Sequence, residues 1–213
     1  MKRLFLLCCC FAAAVPFSAR GESLERALRA VTDSVRATVG VAVVFGDGDT
    51  LAVNGGRCYP MLSVCKFHQA LAVLDRLDRR GLPLTTRIPV RRSDLHPGTW
   101  SPLREACPGG GRFTVAELLA YSVAQRDNNV CDVLFRFLGG TEVVDRYIAG
   151  LGIGETVIVA DEEMMHRHTD NQYLNRTTPL AAVRLLERFR RGELLSAAYG
   201  DFLLETMFAT ETG

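Results

Sequence analysis

The stretch that most constrains this chain begins at Ser63-Val64-Cys65-Lys66 and runs on with apolar residues at a helical period. Val64, Phe67, Leu71 and Leu74 recur at steps of three and four, and Cys65, Ala70, Val73 and Leu77 follow less regularly. Such a run must be covered by other elements, so it predicts a largely buried helix from about Ser63 to Arg80. Ser63 and Lys66 are three apart and fall on one face of its first turn. A lysine amine there can accept a proton from the serine hydroxyl or polarise it, which activates a weak nucleophile at neutral pH. First-turn N–H groups that lack helical partners can help to hold an oxyanion.

Ser-x-x-Lys alone is a weak signal, because a surface serine capping a helix beside a solvated lysine has the same spacing. The chain's use of lysine separates the two. Once the N-terminal 21 residues are set aside, Lys66 is the only lysine, and every other strongly basic side chain is arginine. Arginine does not deprotonate in a protein, whereas a buried lysine can.

Residues 1–21 read as a secretory signal. Lys2 and Arg3 form a basic start, an apolar stretch from Leu4 to Phe17 is interrupted by Pro16, and Ala19-Arg20-Gly21 offers a cleavage site. The stretch is short for a membrane span, and Cys8, Cys9 and Cys10 lie early for a lipid-anchored cleavage product. The expectation is a domain over residues 22–213, periplasmic or secreted, with no stable membrane anchor after cleavage. That domain carries 22 basic and 24 acidic residues, a net charge of −2. Such a balance gives no reason to expect nucleic acid or an anionic membrane as partner. Its length suits one large domain or two closely packed halves. Cys58, Cys65, Cys107 and Cys131 remain. An oxidising compartment permits disulfides, but four cysteines allow three pairings and the sequence does not choose. Metal-ligand spacing is absent, and no metal or cofactor is expected.

In chain order, Ser23 to Thr38 reads as a helix with Leu24, Ala27, Leu28 and Val31 on one face. Val39–Phe45 and Thr50–Asn54 read as strands joined by Gly46-Asp47-Gly48-Asp49, a hairpin. Residues 82–111, rich in Pro, Gly and Arg, are expected to be a long connection. Trp100, the only tryptophan, lies in it, either as a packing anchor or as an aromatic wall for a ligand. Thr114 and Glu117 form a capping box for a helix running to about Gln125. Arg126-Asp127-Asn128-Asn129 breaks the apolar pattern, either as a helix cap or to present an amide to a substrate. Helices are expected over Val130–Leu138, from a Thr141 cap to about Gly150, over Pro179–Arg191, and over about Ser196–Phe208. Asp161-Glu162-Glu163, in a loop bracketed by apolar residues, favours one buried carboxylate of raised pKa that can activate a water. Residues 170–178 read as polar loop.

Together these segments resemble the class A serine β-lactamases, which combine Ser-x-x-Lys, Ser-Asp-Asn and Lys-Thr-Gly with a glutamate on a loop between. The resemblance is to the cephalosporinase branch. It is carried by Pro60–Ala70, Thr99-Trp100-Ser101-Pro102, Asp127–Phe135, Glu162-Glu163-Met164-Met165-His166 and Asn175–Pro179, in the same order and at similar spacing. It implies an α+β fold, with a helical half packed on an antiparallel-sheet half and the site between them. It implies a monomer that takes a small-molecule β-lactam. Ser63 would carry the acyl group, and Lys66 would relay protons. Glu162 would activate the deacylating water, with the base for acylation left open between Glu162 and Lys66. Asn128 would bind the substrate's side-chain amide, Trp100 would line the mouth, and His166 would stand near the water.

The chain departs from the pattern in two places. Ser-Asp-Asn reads Arg126-Asp127-Asn128, which replaces a proton-relaying hydroxyl by a fixed charge that can instead meet a substrate carboxylate. No Lys-Thr-Gly precedes Glu211-Thr212-Gly213. The family pattern would continue with three more strands and a final helix, so the expectation is an incomplete domain that turns over no cephalosporin. The alternatives are a penicillin-binding DD-peptidase-like protein, against which Glu162 argues, and a non-catalytic relative that binds β-lactams or peptidoglycan fragments.

Overall fold

The run from Ser63 becomes a largely buried helix. The computed structural model describes residues 17–46 and 48–210, so most of the expected leader lies outside the described residues. Helix α1 (Phe17–Ser34) is followed by β1 (Val41–Val44) and β2 (Thr50–Val53), then by the short β3 (Tyr59–Pro60). Leu62–Val64 form a single 3-10 turn that leads into α2 (Cys65–Arg80). Then come β4 (Arg87–Arg91), α3 (Pro102–Ala106), β5 (Gly110–Thr114) and α4 (Val115–Leu119), with a π turn over Ala120–Ala124. The chain continues through α5 (Asn128–Leu138), α6 (Thr141–Gly150), α7 (Glu162–Arg167), β6 (Arg176–Thr177), α8 (Pro179–Arg190) and α9 (Ala197–Phe208). The strands pair antiparallel as β1–β2, β3–β6 and β4–β5. No helix among the described residues is long and apolar enough to cross a membrane.

Helix α2 is built from good helix formers and stops at Gly81, whose φ of +61° a residue with a Cβ adopts only at a cost. Arg79 and Arg80 in its last turn suit the negative end of the helix dipole. Residues 68–74 are buried without interruption, and α5, α6 and α9 pack around the helix. The expected apolar face begins one residue late: Val64 is exposed, and the buried face starts at Cys65. Three polar groups, Lys66, His68 and Gln69, are buried with the apolar ones. Burial pulls the His68 imidazole down to about 4, so it is neutral and bonds the Val64 carbonyl through Nδ1.

The β1–β2 hairpin forms in the register Val41↔Val53 to Val44↔Thr50, with α1 against β2 and α8 against β1. Helix α1 ends at Ser34, four residues before the expected boundary. The capping box at Thr114 is present, and Thr178 caps α8 with Pro179 behind it. Residues 82–111 are not a bare connection. They hold α3 and the β4–β5 ribbon, in which Ile88 and Val90 point inward while Arg87, Pro89 and Arg91 point out. Proline is tolerated there because each strand of a two-stranded ribbon has an open edge. Thr141 is not a cap but the first residue of α6, and its hydroxyl donates to the Val159 carbonyl. The acidic loop is a short helix, α7, and residues 170–178 include a 3-10 turn and β6.

The tetrad at 126–129 divides its work. Asp127 is fully buried and caps α5 by accepting from the Val130 N–H at 2.9 Å. Its other oxygen accepts from the Ser101 hydroxyl at 3.0 Å and the Leu103 N–H at 2.8 Å, which also fastens α3. Asp127→Ala strands three buried donors at once. It should destabilise the chain by about 2–4 kcal/mol, read as a fall in denaturant midpoint at unchanged m-value.

Candidate active site

Ser63 stands on the 3-10 turn, just after a residue under backbone strain: Leu62 has φ +44°. Two ties hold the segment before it, the Tyr59↔Thr177 pairing and the Met61 N–H to the Asn175 carbonyl at 2.9 Å. Val64 N–H is spent on Met61, and Cys65 N–H on the carbonyls of Leu62 and Ser63. The first turn therefore offers fewer open donors than its position as a helix start suggests.

Lys66 Nζ lies within 3.3 Å of Ser63 Oγ, donates to Asn128 Oδ1 at 2.9 Å and pairs with Glu162 Oε1. Three N–H groups meet three acceptors, and the residue is 2% exposed. Burial alone would pull the ammonium down. The groups beside it, Cys131 if ionised, then Glu162, then Cys65 if ionised, outweigh burial and hold it above its ordinary value. Cys131 is itself pushed far up by burial and is a neutral thiol at working pH, so Glu162 is the anion that matters.

Glu162 opens α7, and three side chains set its place. Asp161 caps the helix by accepting from Met164 N–H at 2.8 Å. Buried Asn175 accepts from the N–H groups of Val159 and Ala160, both at 2.9 Å, and donates to the Ala160 carbonyl. Asp132 accepts from the Glu162 N–H at 2.7 Å and the Glu163 N–H at 2.9 Å. The raised carboxyl expected of the acidic run belongs to Asp132. Burial first, then the neighbouring Asp161 and Glu162, push it up to about 7 against its two backbone bonds. Glu163 is exposed, and its bond to Arg167 lowers its carboxyl.

Asp132 gives the site a pH dependence with a definite sign. A carboxyl raised in the folded state contributes stability fully below its unfolded pKa, and that contribution is lost as pH rises through about 7. Function runs the other way, because a protonated carboxyl has one good acceptor left for two N–H groups. Any rate that depends on Glu162 should fall as pH drops below 7. Asp132→Asn should flatten that limb and slow the step roughly fivefold, the scale of one hydrogen bond. A pH profile of acyl-enzyme decay checks both.

Asn128 donates to Thr99 Oγ1 at 2.8 Å while it accepts from Lys66, so its amide is held side-on at the site. A cavity of about 450 Å³ opens over these groups, with Ser63, Arg126, Asn128, Glu162 and His166 in its wall. Arg126 has φ +59° and no ion-pair partner among the described residues. Trp100 stands apart from that wall: it is 54% exposed, its indole N–H bonds the Gln125 carbonyl, and only its own carbonyl reaches Asn128, through the N–H. A second cavity of similar size, lined by Asp94, Arg136 and Glu142, lies away from Ser63.

Sequence reasoning passed over Asp132, Asn175 and Thr99 as functional residues. Asp132 was within reach, because it follows Asn128 by four on α5 and so shares its face. Asn175 and Thr99 act through contacts far apart in sequence that no spacing signals.

Known proteins are similar to this chain in sequence and in fold. Residues 23–213 match the model of the β-lactamase enzyme family. A β-lactamase of Bacteroides uniformis is 40% identical over 192 residues, 89% of this chain and 65% of the relative. β-Lactamase VEB-1 of Pseudomonas aeruginosa is 36% identical over all of this chain and 73% of its own length. The crystal structure of a class A β-lactamase from Bacteroides cellulosilyticus superposes with a TM-score of 0.85 at 38% identity, over 90% of this chain and 69% of that one. The chain thus spans roughly two thirds of the length of these relatives, with Ser63, Lys66 and Glu162 inside the matched part. The chain belongs to the class A β-lactamase family.

Proposed function

We propose that this chain is acylated by β-lactams at Ser63 and hydrolyses the acyl-enzyme with water activated by Glu162. The observation that carries the reading is Lys66 Nζ, shielded from solvent between Ser63 Oγ and the Glu162 carboxylate. Lys66 is an ammonium at rest and cannot take the serine proton until it gives one up. Glu162 is the acceptor in contact with it. Once that proton moves, the neutral amine accepts the Ser63 proton as Oγ attacks the lactam carbonyl. The ring C–N bond breaks, the nitrogen takes a proton from solvent, and Glu162 releases to solvent the one it took from Lys66, so the ammonium and the carboxylate are both restored. A water beside Glu162 then attacks the ester and gives its proton to the carboxylate, and Ser63 Oγ leaves with a proton from Lys66, which regains one from Glu162. The Asn128 amide holds the substrate's side-chain amide, and His166 flanks the water. Trp100 shapes the approach from outside the cavity wall. The leader pattern of residues 1–21 supports a periplasmic or secreted protein, and we take it to work as a monomer.

Arg126 meets the substrate where a relay hydroxyl is otherwise found. Its unpaired guanidinium suits a carboxylate but cannot pass a proton to the lactam nitrogen. Arg126→Ser should therefore raise the acylation rate by about 10²-fold, the scale of one general-acid contribution, with weaker binding of anionic substrate. Stopped-flow acylation at several concentrations separates the two effects.

The reading is tested by mixing the chain with penicillin for intact-mass analysis and with a chromogenic cephalosporin for turnover. Turnover with a transient adduct on Ser63 supports it. A stable adduct without turnover assigns the chain to β-lactam-binding relatives instead. No adduct on a chain with a cooperative unfolding transition overturns it.

A further inference from the structure

The mechanism leaves two nucleophilic side chains unused beside its centre. Cys65 and Cys131 are both fully buried, on α2 and α5. Their two sulfurs and a Glu162 oxygen lie within 4.8 Å of one another. The helices are pinned at this level by Gln69, one turn beyond Cys65, whose side-chain N–H bonds the Cys131 carbonyl at 2.9 Å. Cys58 is exposed and Cys107 half-buried. Four cysteines allow three pairings, and the fold brings one of them into contact.

We propose that Cys65 and Cys131 are a disulfide-forming pair that cross-links the first turn of α2 to α5, the helices that carry Lys66 and Asn128. Sulfurs within 4.8 Å of each other lie within reach of side-chain rotation toward bonding distance. The oxidant is a disulfide of the oxidised-glutathione class. One cysteine thiolate displaces one molecule of reduced thiol and forms a mixed disulfide. The second thiolate attacks the cysteine sulfur of that mixed disulfide and expels the second molecule. The two cysteine sulfurs lose two electrons to the oxidant, and their two protons end on the two released thiols. The exchange needs access to sulfur, and both sulfurs are sealed in the folded chain. The bond therefore forms while the chain is still open and is protected once α2 and α5 dock. The raised Cys131 thiol acts in the same direction, since an un-ionised thiol does not exchange.

The bond closes a loop between residues 66 apart, so it should raise Tm by on the order of 10 °C over the reduced chain. The experiment refolds the chain over residues 22–213, which holds the four cysteines Cys58, Cys65, Cys107 and Cys131, in a glutathione redox buffer, denatures it under acid quench, alkylates free thiols and maps the peptides. A Cys58→Ser/Cys107→Ser variant is treated in parallel. The expected result is a linked Cys65–Cys131 peptide in both, two hydrogens lighter, and a Tm that falls when a phosphine reductant is present during unfolding. Full alkylation of Cys65 and Cys131 in a chain that unfolds cooperatively overturns the proposal. So does a mixture of all three pairings in the four-cysteine chain. So do thiols that resist alkylation without loss of mass, as a bound thiophilic metal ion would leave them. None of these readouts depends on β-lactam turnover.

Discussion

Ser63→Ala abolishes covalent labelling by penicillin, by at least about 10³-fold in acylation rate, because no other group can carry the acyl chain. The structure explains why no neighbour substitutes. Lys66 presents an ammonium whose three N–H groups are all engaged. Cys65 and Cys131 are nucleophilic in kind but fully buried, and neither is among the residues lining the cavity that contains Ser63. Thr99 does line that cavity, but its hydroxyl accepts from Asn128 and makes no hydrogen bond to a base among the described residues. The substitution should also leave the fold alone, because among the described residues the Ser63 hydroxyl bonds only Lys66, which keeps its two other partners. Intact-mass spectrometry after penicillin treatment should show the parent adduct and none on the variant, at equal Tm. An adduct of unchanged yield on the variant would remove Ser63 from its role.

How much of this was legible in the sequence follows from the range of the contacts. Ser63 and Lys66 sit three apart on one turn, so a local rule paired them. The helix around them was legible because its apolar run is long, and the β1–β2 hairpin because four turn residues separate two β-branched runs. Glu162 and Asn128 reach Lys66 across 96 and 62 residues. No period or spacing ties them to Lys66: the residues pointed to a water-activating carboxylate within 161–163 and an amide within 126–129, and the resemblance to a family singled out Glu162 and Asn128. The β4–β5 ribbon shows the opposite failure. Arg87-Ile88-Pro89-Val90-Arg91 alternates as a strand should, but its proline and the glycines of β5 read as loop, and its partner begins some 20 residues on. Asp132 was hidden for a third reason. A single acid in an apolar helix looks like its solvent face, and only the docking of α7 shows it half-buried under two N–H groups. The pairing of Cys65 with Cys131 was equally undetermined, since which cysteines meet depends on how α2 crosses α5.

Glu162→Gln should leave acylation largely intact and stall the chain as its acyl-enzyme, with deacylation slower by about 10²–10⁴-fold. Glutamine keeps the shape and an acceptor for Lys66 but cannot take a proton from water. The effect on Lys66 follows from its burial. With the carboxylate gone, one of the groups that hold the ammonium above its ordinary value is lost, while the desolvation that pulls it down remains. The amine then reaches its neutral form more readily, and the neutral form is the one that accepts the Ser63 proton. The two half-reactions should therefore separate, with attack on the lactam sustained by Lys66 and release failing for want of a base. No neighbouring carboxylate is placed to step in. Asp161 is committed to the Met164 N–H, Glu163 turns out to Arg167, and both oxygens of Asp132 hold the start of α7. Quenching within seconds of mixing and weighing the protein should show the variant fully acylated while the parent is mostly free. Accumulation no greater than in the parent would mean that the water takes its base from Asp161 or Glu163, and that the Lys66–Glu162 pair serves acylation alone.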